Sequence, residues 1–521
     1  VTSGTRVRVV VFLAALFGAG LRLVNLSAWP PGPWIDEAYA LRAARLLPPG
    51  VSLFGTTALT PPGEGFVNMW VPNATLRAIR ALDVAAGGGL ASFHALSAVP
   101  ALALLAAFLL LAAEACRGRP FAHGSAAVLG ATSMWLLTTG RWGWVALATS
   151  ALAALATWAG LRAARTGSAA LALLAGACAG LGAYGYAAGR LFLAAPAVAL
   201  ASALVFSLAP SDAHHAAGRR VSRLAALALA AEIAVVAPLA AHYARNPDRF
   251  FARERELSLL RHGGADAGLL LARNVTEYAA LFFWRGDANE RHGDPGRPVV
   301  PAAVAGLALA GAAWGAARGG SSRALLVPAG LFLAGGLLAA EDTGANAYRI
   351  SPMTPYVLVL AGLGAAVVLE AIPPERRRLA AAALGALIVS SAALDVAAFA
   401  RWGASPRTWG AFGGPERELA DALVAASKSG PPARVVLDAR GAARNPYVVE
   451  ELLAPPGARR GPVVAFRDLT DPHVALGGNV LYADGGALEA AGLAGRRGTV
   501  VSRGRDPWGR PTFTVYRLSP D

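Results

Sequence analysis

The chain has 521 residues, 55% of them hydrophobic and only 15% charged, with a mean hydropathy of +0.47. Its apolar residues gather in windows of about 18 to 23 residues, which excludes an ordinary soluble globule and indicates a polytopic α-helical membrane protein. A net charge of +15 would suggest nucleic acid in a soluble protein, but here the basic residues are assigned to membrane topology and no nucleic-acid partner is expected.

The first apolar window, 7–26, lacks a small-residue cleavage site and reads as a retained helix, not a removed signal. A Pro-rich turn and "WIDEAYALRAARLL" follow it. Asp36 there opens an amphipathic helix with Ile35, Tyr39, Ala43 and Leu46 on one face, expected to lie along the outer membrane interface. Further windows at 91–113, 121–139, 143–161, 169–187, 190–208, 222–242, 299–317, 323–340, 354–371 and 378–400 bring the expected transmembrane helices to about eleven. One set of connections carries Arg6 and Arg8, Arg117 and Arg119, Arg162 and Arg165, Arg219, Arg220 and Arg223, Arg318 and Arg323, and Arg376 to Arg378. The positive-inside rule places these in the cytoplasm. The other side holds loops 27–90 and 243–298 and three short connections with one arginine each: Arg141, Arg190 and Arg349.

An odd number of spans puts the final segment outside the cytoplasm, so the chain divides into a membrane domain, 1–400, and an extracytoplasmic segment, 401–521. The latter reads as a small soluble α/β domain: "PERELADALVAA" with Pro415 at a helix start, then "RVVLDA", "GPVVAF", "NVLYA", "TVVSR" and "TFTVYRL" as strands. Cys116 and Cys178 are too few for a disulfide framework or a metal cluster.

Three features carry chemistry. Asp36 and Glu37 sit together at the outer surface of a chain poor in acids. In the structural reading they cap and complement the helix dipole; in the functional one, partial desolvation raises the basicity of a carboxylate that deprotonates a hydroxyl. Adjacent helical residues point about 100° apart, so one acid is the base and the other binds an arginine, a metal or the acceptor. The lone outer arginines, each near aromatics, either snorkel to the interface or bind phosphate there. The run "FFWRGDANERHGDPGRP" is dense in polar groups. Asp287, Glu290 and His292 form a weak metal set, against a default of a solvated loop with Asx turns. Lys428 is the only lysine, so no phosphate-binding G-x-x-x-x-G-K-[ST] loop exists, and H-E-x-x-H is absent.

Taken in order, the first window, W-x-D-E at 34–37, "YGYAAGR", "NPDRFFARE", "FFWRGDANERHGDPGRP" and "YRISPMTPY" resemble the bacterial relatives of protein O-mannosyltransferases and aminoarabinose transferases. These are C-type (GT-C) membrane glycosyltransferases, and the resemblance covers about residues 7–400. It implies an inverting transfer of a sugar from a polyprenyl-phosphate donor to an extracytoplasmic hydroxyl of a glycan, lipid or protein, at the bacterial inner membrane. The family's acidic pair falls on Asp36, the expected base, and Glu37, with Arg141, Arg190 and Arg349 near the lipid phosphate. Trp34, Tyr184, Tyr186, Asp287, Asn289, His292 and Tyr348 are expected to line the substrate pocket. Relatives often have an aromatic after Pro-Pro in the first loop, whereas this chain reads "TPPGEGFVNMW". Metal dependence varies among C-type enzymes, so no metal ligand and no cofactor is assigned, and a divalent metal stays open. The alternative function is a non-catalytic lipid-glycan transporter or assembly scaffold.

Overall fold

The computed structural model describes residues 3–59, 69–142, 144–186, 212–259, 261, 264–318, 322–340, 344–426, 435–438, 445–454, 464–467, 481–484 and 498–518. Helices dominate. The first is α1 (Ser3–Leu23), on the first apolar window. Prolines 30, 31 and 33 deny the chain backbone donors and helical geometry, so α2 (Ile35–Leu46) begins only after Trp34. A two-stranded antiparallel ribbon, β1 (Thr56–Ala58) with β2 (Trp70–Pro72), leads into α3 (Asn73–Ala86), which ends on Gly87 in the left-handed conformation. The Pro61–Pro62 segment lies outside the described residues.

The apolar windows form α4 (Gly89–Ala115), α5 (Pro120–Thr132), α6 (Met134–Thr139), α7 (Trp144–Thr166) and α8 (Ala169–Gly182). The window 121–139 is broken at Ser133, where Asp395 accepts the Met134 N–H at 3.2 Å and caps α6. The window 190–208 lies outside the described residues. After it come α9 (Asp212–Arg245), α10 (Pro247–Leu257), α11 (Ala267–Phe283), α12 (Ala302–Arg318), α13 (Arg323–Leu337), α14 (Thr354–Glu370) and α15 (Arg377–Gly403). Among the described residues five helices are long and apolar enough to cross a membrane, at 89–115, 145–166, 220–245, 351–370 and 374–403; three shorter apolar helices accompany them. The chain is a multi-pass membrane protein.

The helices meet through small residues. A Cβ on Gly364 of α14 would lie 1.8 Å from the Leu307 carbonyl of α12, and one on Gly311 would lie 2.0 Å from the Leu360 carbonyl. Only glycine admits so close a crossing. Around it the largest core cluster gathers Leu307, Phe332, Tyr356, Leu360 and Leu363.

The remaining elements are α16 (Pro406–Ala411), α17 (Gly414–Ala426), β3 (Val435–Asp438), α18 (Pro446–Leu453), β4 (Val464–Arg467), β5 (Leu481–Asp484), β6 (Gly498–Arg505) and β7 (Pro511–Leu518). The strands form one mixed sheet in the order β4-β3-β5-β7-β6, parallel at β4-β3-β5 and antiparallel elsewhere. Leu419 and Leu423 of α17 and Val449 of α18 pack on Val435, Leu437, Phe513 and Val515.

α2 is buried on more than the one apolar face that its sequence pattern suggests. It is enclosed, with Glu37, Ala38, Tyr39, Ala40, Leu41, Ala43, Ala44 and Arg45 all buried. The reason is tertiary: α18 packs Val448 into the cluster that Ala38, Leu41, Leu76 and Phe93 build between α2, α3 and α4.

Candidate active site

The two acids at the entry of α2 have different fates. Glu37 is 2% exposed; its Oε2 accepts the Trp34 N–H at 2.9 Å and its Oε1 accepts the Ser97 hydroxyl of α4 at 3.0 Å. Burial pushes its carboxyl well above the usual 4.5, and the Asp36 charge adds to that against the pull of those two hydrogen bonds. The capping read for Asp36 is thus done by Glu37, which reaches back over the first turn. Asp36 stands half-buried, near enough to Arg291 and Tyr348 to interact electrostatically with both.

Arg291 is brought there by the loop 284–300. Asp287 Oδ1 accepts the Asn289 N–H at 2.8 Å, and Asn289 Oδ1 accepts the N–H and Nε–H of Arg291 at 3.1 and 3.0 Å. Two successive Asx turns therefore aim the arginine, whose guanidinium lies 3.8 Å over the Trp34 ring. Asp287 Oδ2 takes the Ala347 N–H at 2.9 Å and sits 2.5 Å from His292 Nδ1. Burial raises the Asp287 carboxyl, but hydrogen bonds from His292, Ala347 and Asn289 outweigh it and hold the carboxyl below its usual value. The Asx turns are as expected; the solvated setting is not. His292 is buried, Trp402 Nε1 donates to the Glu290 carbonyl at 2.6 Å, and Thr138 Oγ donates to the His292 carbonyl. Asp287 and His292 bond each other, and among the described residues no three His, Cys, Asp or Glu side chains come together as a metal site.

An aromatic wall closes the side facing Asp36. Trp142 stacks on Tyr348 at 4.5 Å and on His292 at 5.7 Å, and Tyr186 lies 5.4 Å from Tyr348. Burial, with Tyr186 and Asp36 nearby, pushes the Tyr348 hydroxyl well above 10. Trp142 and Arg291 were not among the expected site residues. The only sequence signals were the paired tryptophans of "GRWGW" and an arginine two residues after an asparagine.

Other expected residues lie elsewhere. Tyr184 faces away: its hydroxyl donates to the Val235 carbonyl at 2.9 Å and its ring packs with Leu239 and Tyr243. The tight turn after α8 sends Tyr184 and Tyr186 to opposite sides. Arg141 is 5% exposed and neither snorkels nor lies at a surface; its Nη2 donates to the carbonyls of Leu21 (2.9 Å) and Val24 (2.5 Å) at the end of α1. Burial pulls its guanidinium down to about 10. Arg349 is half-buried on the turn that carries Tyr348, with its N–H on Asn346 Oδ1 at 3.0 Å. Arg190 lies outside the described residues.

No family model and no curated protein matches the chain. Solved structures do. ArnT from Cupriavidus metallidurans in the apo state superposes with a TM-score of 0.53 at 14% identity over 100% of both chains. The Archaeoglobus fulgidus oligosaccharyltransferase, in complex with zinc and sulfate, gives 0.51 at 15% identity over 97% of this chain and 72% of that one. The chain has the GT-C fold. ArnT bound to undecaprenyl phosphate aligns at 0.48 and 14% identity, over 100% of both chains. Within this GT-C chain, Asp36 stands where the loop 284–300 and the 344–350 turn converge on the entry of α2.

Proposed function

We propose that this chain is a glycosyltransferase that takes a sugar from a polyprenyl-phosphate donor and passes it, with inversion, to an extracytoplasmic hydroxyl at the bacterial inner membrane. The observation that carries the reading is Asp36: the half-exposed acid of the pair, beside an arginine held by two Asx turns and under an aromatic wall. The W-x-D-E motif and the shared fold add support. The Asp36 carboxylate accepts the proton of the acceptor hydroxyl, whose oxygen attacks the anomeric carbon while the bond to the phosphate oxygen breaks and its electron pair leaves with the phosphate. Arg291 orients Asp36. Arg349, with Arg190, takes the departing phosphate; Arg141 is given the supporting task of holding the end of α1. Tyr186 and Tyr348, both half-buried, offer faces against which a sugar ring stacks, and buried Trp142 backs Tyr348.

Mass spectrometry of polyprenyl-phosphate lipids tests this in a strain lacking the protein, re-supplied with wild type or Asp36→Asn. A sugar-bearing lipid that accumulates in the deletion, clears with wild type and persists with a well-folded Asp36→Asn is the expected result, with a rate loss of about a hundredfold or more. No accumulation, with Asp36→Asn indistinguishable from wild type, overturns it in favour of a transporter or scaffold.

A further inference from the structure

α2 is held at both ends by the last quarter of the chain. At its entry Arg417 of α17 donates through Nη1 to the carbonyls of Ser27 and Pro31, the latter at 2.7 Å. Gly32 lies so close to this segment that a Cβ there would be 2.6 Å from the Phe412 carbonyl. At its exit Arg45, 2% exposed, lies between two buried acids. Its Nε and Nη2 donate to the two oxygens of Asp83 at 3.0 and 2.7 Å, and its Nη1 donates to Glu451 Oε2 of α18 at 2.6 Å. Ser92 Oγ, at 2.7 Å, also donates to Asp83. On the rim Arg42 Nη1 meets Glu450 Oε2 at 2.6 Å, and its guanidinium lies 4.5 Å over the Tyr447 ring.

Buried charges cost desolvation, and an arginine shared by two buried acids rewards one arrangement of its elements over its neighbours. Here that arrangement is of α2 against α3 and α18. A helix of 12 residues is stiff, so a shift of its last turn is carried to its first, where Asp36 stands.

We propose that α17 and α18 act as a clamp on α2, with Arg42, Arg45, Glu450 and Glu451 as positioning residues that set where Asp36 stands relative to Arg291. The consequence for catalysis rests on the function proposed above; the clamp itself does not.

The full chain in lipid nanodiscs provides the test. Arg42→Glu and Glu450→Arg each set like charges against each other at the rim, and the double variant restores the pair with its polarity exchanged. Hydrogen exchange across 35–46 is expected to speed up about fivefold in each single variant and to return within about twofold of wild type in the double, with α7 and α14 unchanged. Exchange that stays at the wild-type rate in the singles, or a double as loose as they are, overturns the clamp. Glu451→Gln, which keeps the shape and removes the charge, is expected to loosen the same segment further. With the donor lipid named by the mass spectrometry above, the single variants should lower kcat at unchanged donor KM and the double should recover it. Loosened exchange at a wild-type kcat removes the positioning role. Loosened exchange without transfer in any form of the protein, wild type included, overturns the proposed function and leaves the clamp standing.

Discussion

Asp36 and Glu37 are neighbours in sequence with opposite environments, and the difference is testable through pH. Glu37 has its carboxyl raised above the unfolded value of 4.5 by burial. Its contribution to stability is therefore full below that value and is lost as pH rises through the raised folded one. Glu37→Gln, which keeps an oxygen for the Trp34 N–H and removes the ionisation, is expected to flatten the fall in thermal midpoint as pH rises above 4.5, read by thermal scanning in detergent. A midpoint as pH-dependent as wild type would show that Glu37 is not its source. Arg291 tests geometry against charge. Lysine keeps the charge but loses the stacking on Trp34 and the planar bond to Asn289, so Arg291→Lys should lose nearly as much transfer as Arg291→Ala, about tenfold or more. Near wild-type turnover in the lysine variant would reduce the role to charge alone.

At the scale of elements, the site depends on helices that pack because their backbones can touch. In Gly364→Ala the added methyl meets the Leu307 carbonyl at 1.8 Å, whereas at Gly306 on the same α12 nothing lies within 4 Å of an added Cβ. Gly364→Ala should cost about 2 kcal/mol and lower the thermal midpoint by several degrees, with Gly306→Ala neutral. Equal effects would mean that the α12–α14 crossing yields easily. The loop 284–300 shows the other route to order: with few apolar residues, it is held by Asp287 and Asn289 bonding their own backbone and by side chains of Trp402 and Thr138 donating to its carbonyls. Asx turns are local and so were visible in "GDAN"; Trp402 and Thr138 are over a hundred residues from the carbonyls they bond.

For the whole molecule the arginine distribution makes an orientation prediction. Thr499, exposed on β6, and Thr166, exposed at the end of α7, should be reached from opposite sides of the membrane. With Cys116 and Cys178, both buried, replaced by serine, Thr499→Cys should react with an impermeant maleimide in intact spheroplasts and Thr166→Cys only after permeabilisation. The reverse pattern would place the candidate site on the cytoplasmic face and remove it from an extracytoplasmic reaction.

What the sequence determined by itself is what a short stretch of chain decides alone. Bilayer thickness imposes a length on apolar windows, prolines stop one helix and delay the next, and Asx side chains fold back on their own backbone. Those rules made most of the helices, the start of α2 and the turns of the 284–300 loop legible. Contacts across the fold decide which acid caps and which stands half-buried near Arg291 and Tyr348, because Glu37 is claimed by Ser97, sixty residues on. They likewise assign Arg141 to the end of α1, turn Tyr184 away, join Trp142 to Tyr348 and enclose α2 beneath α18. Each of these rests on a partner distant in sequence, and no local pattern encodes which of many buried donors and rings will meet.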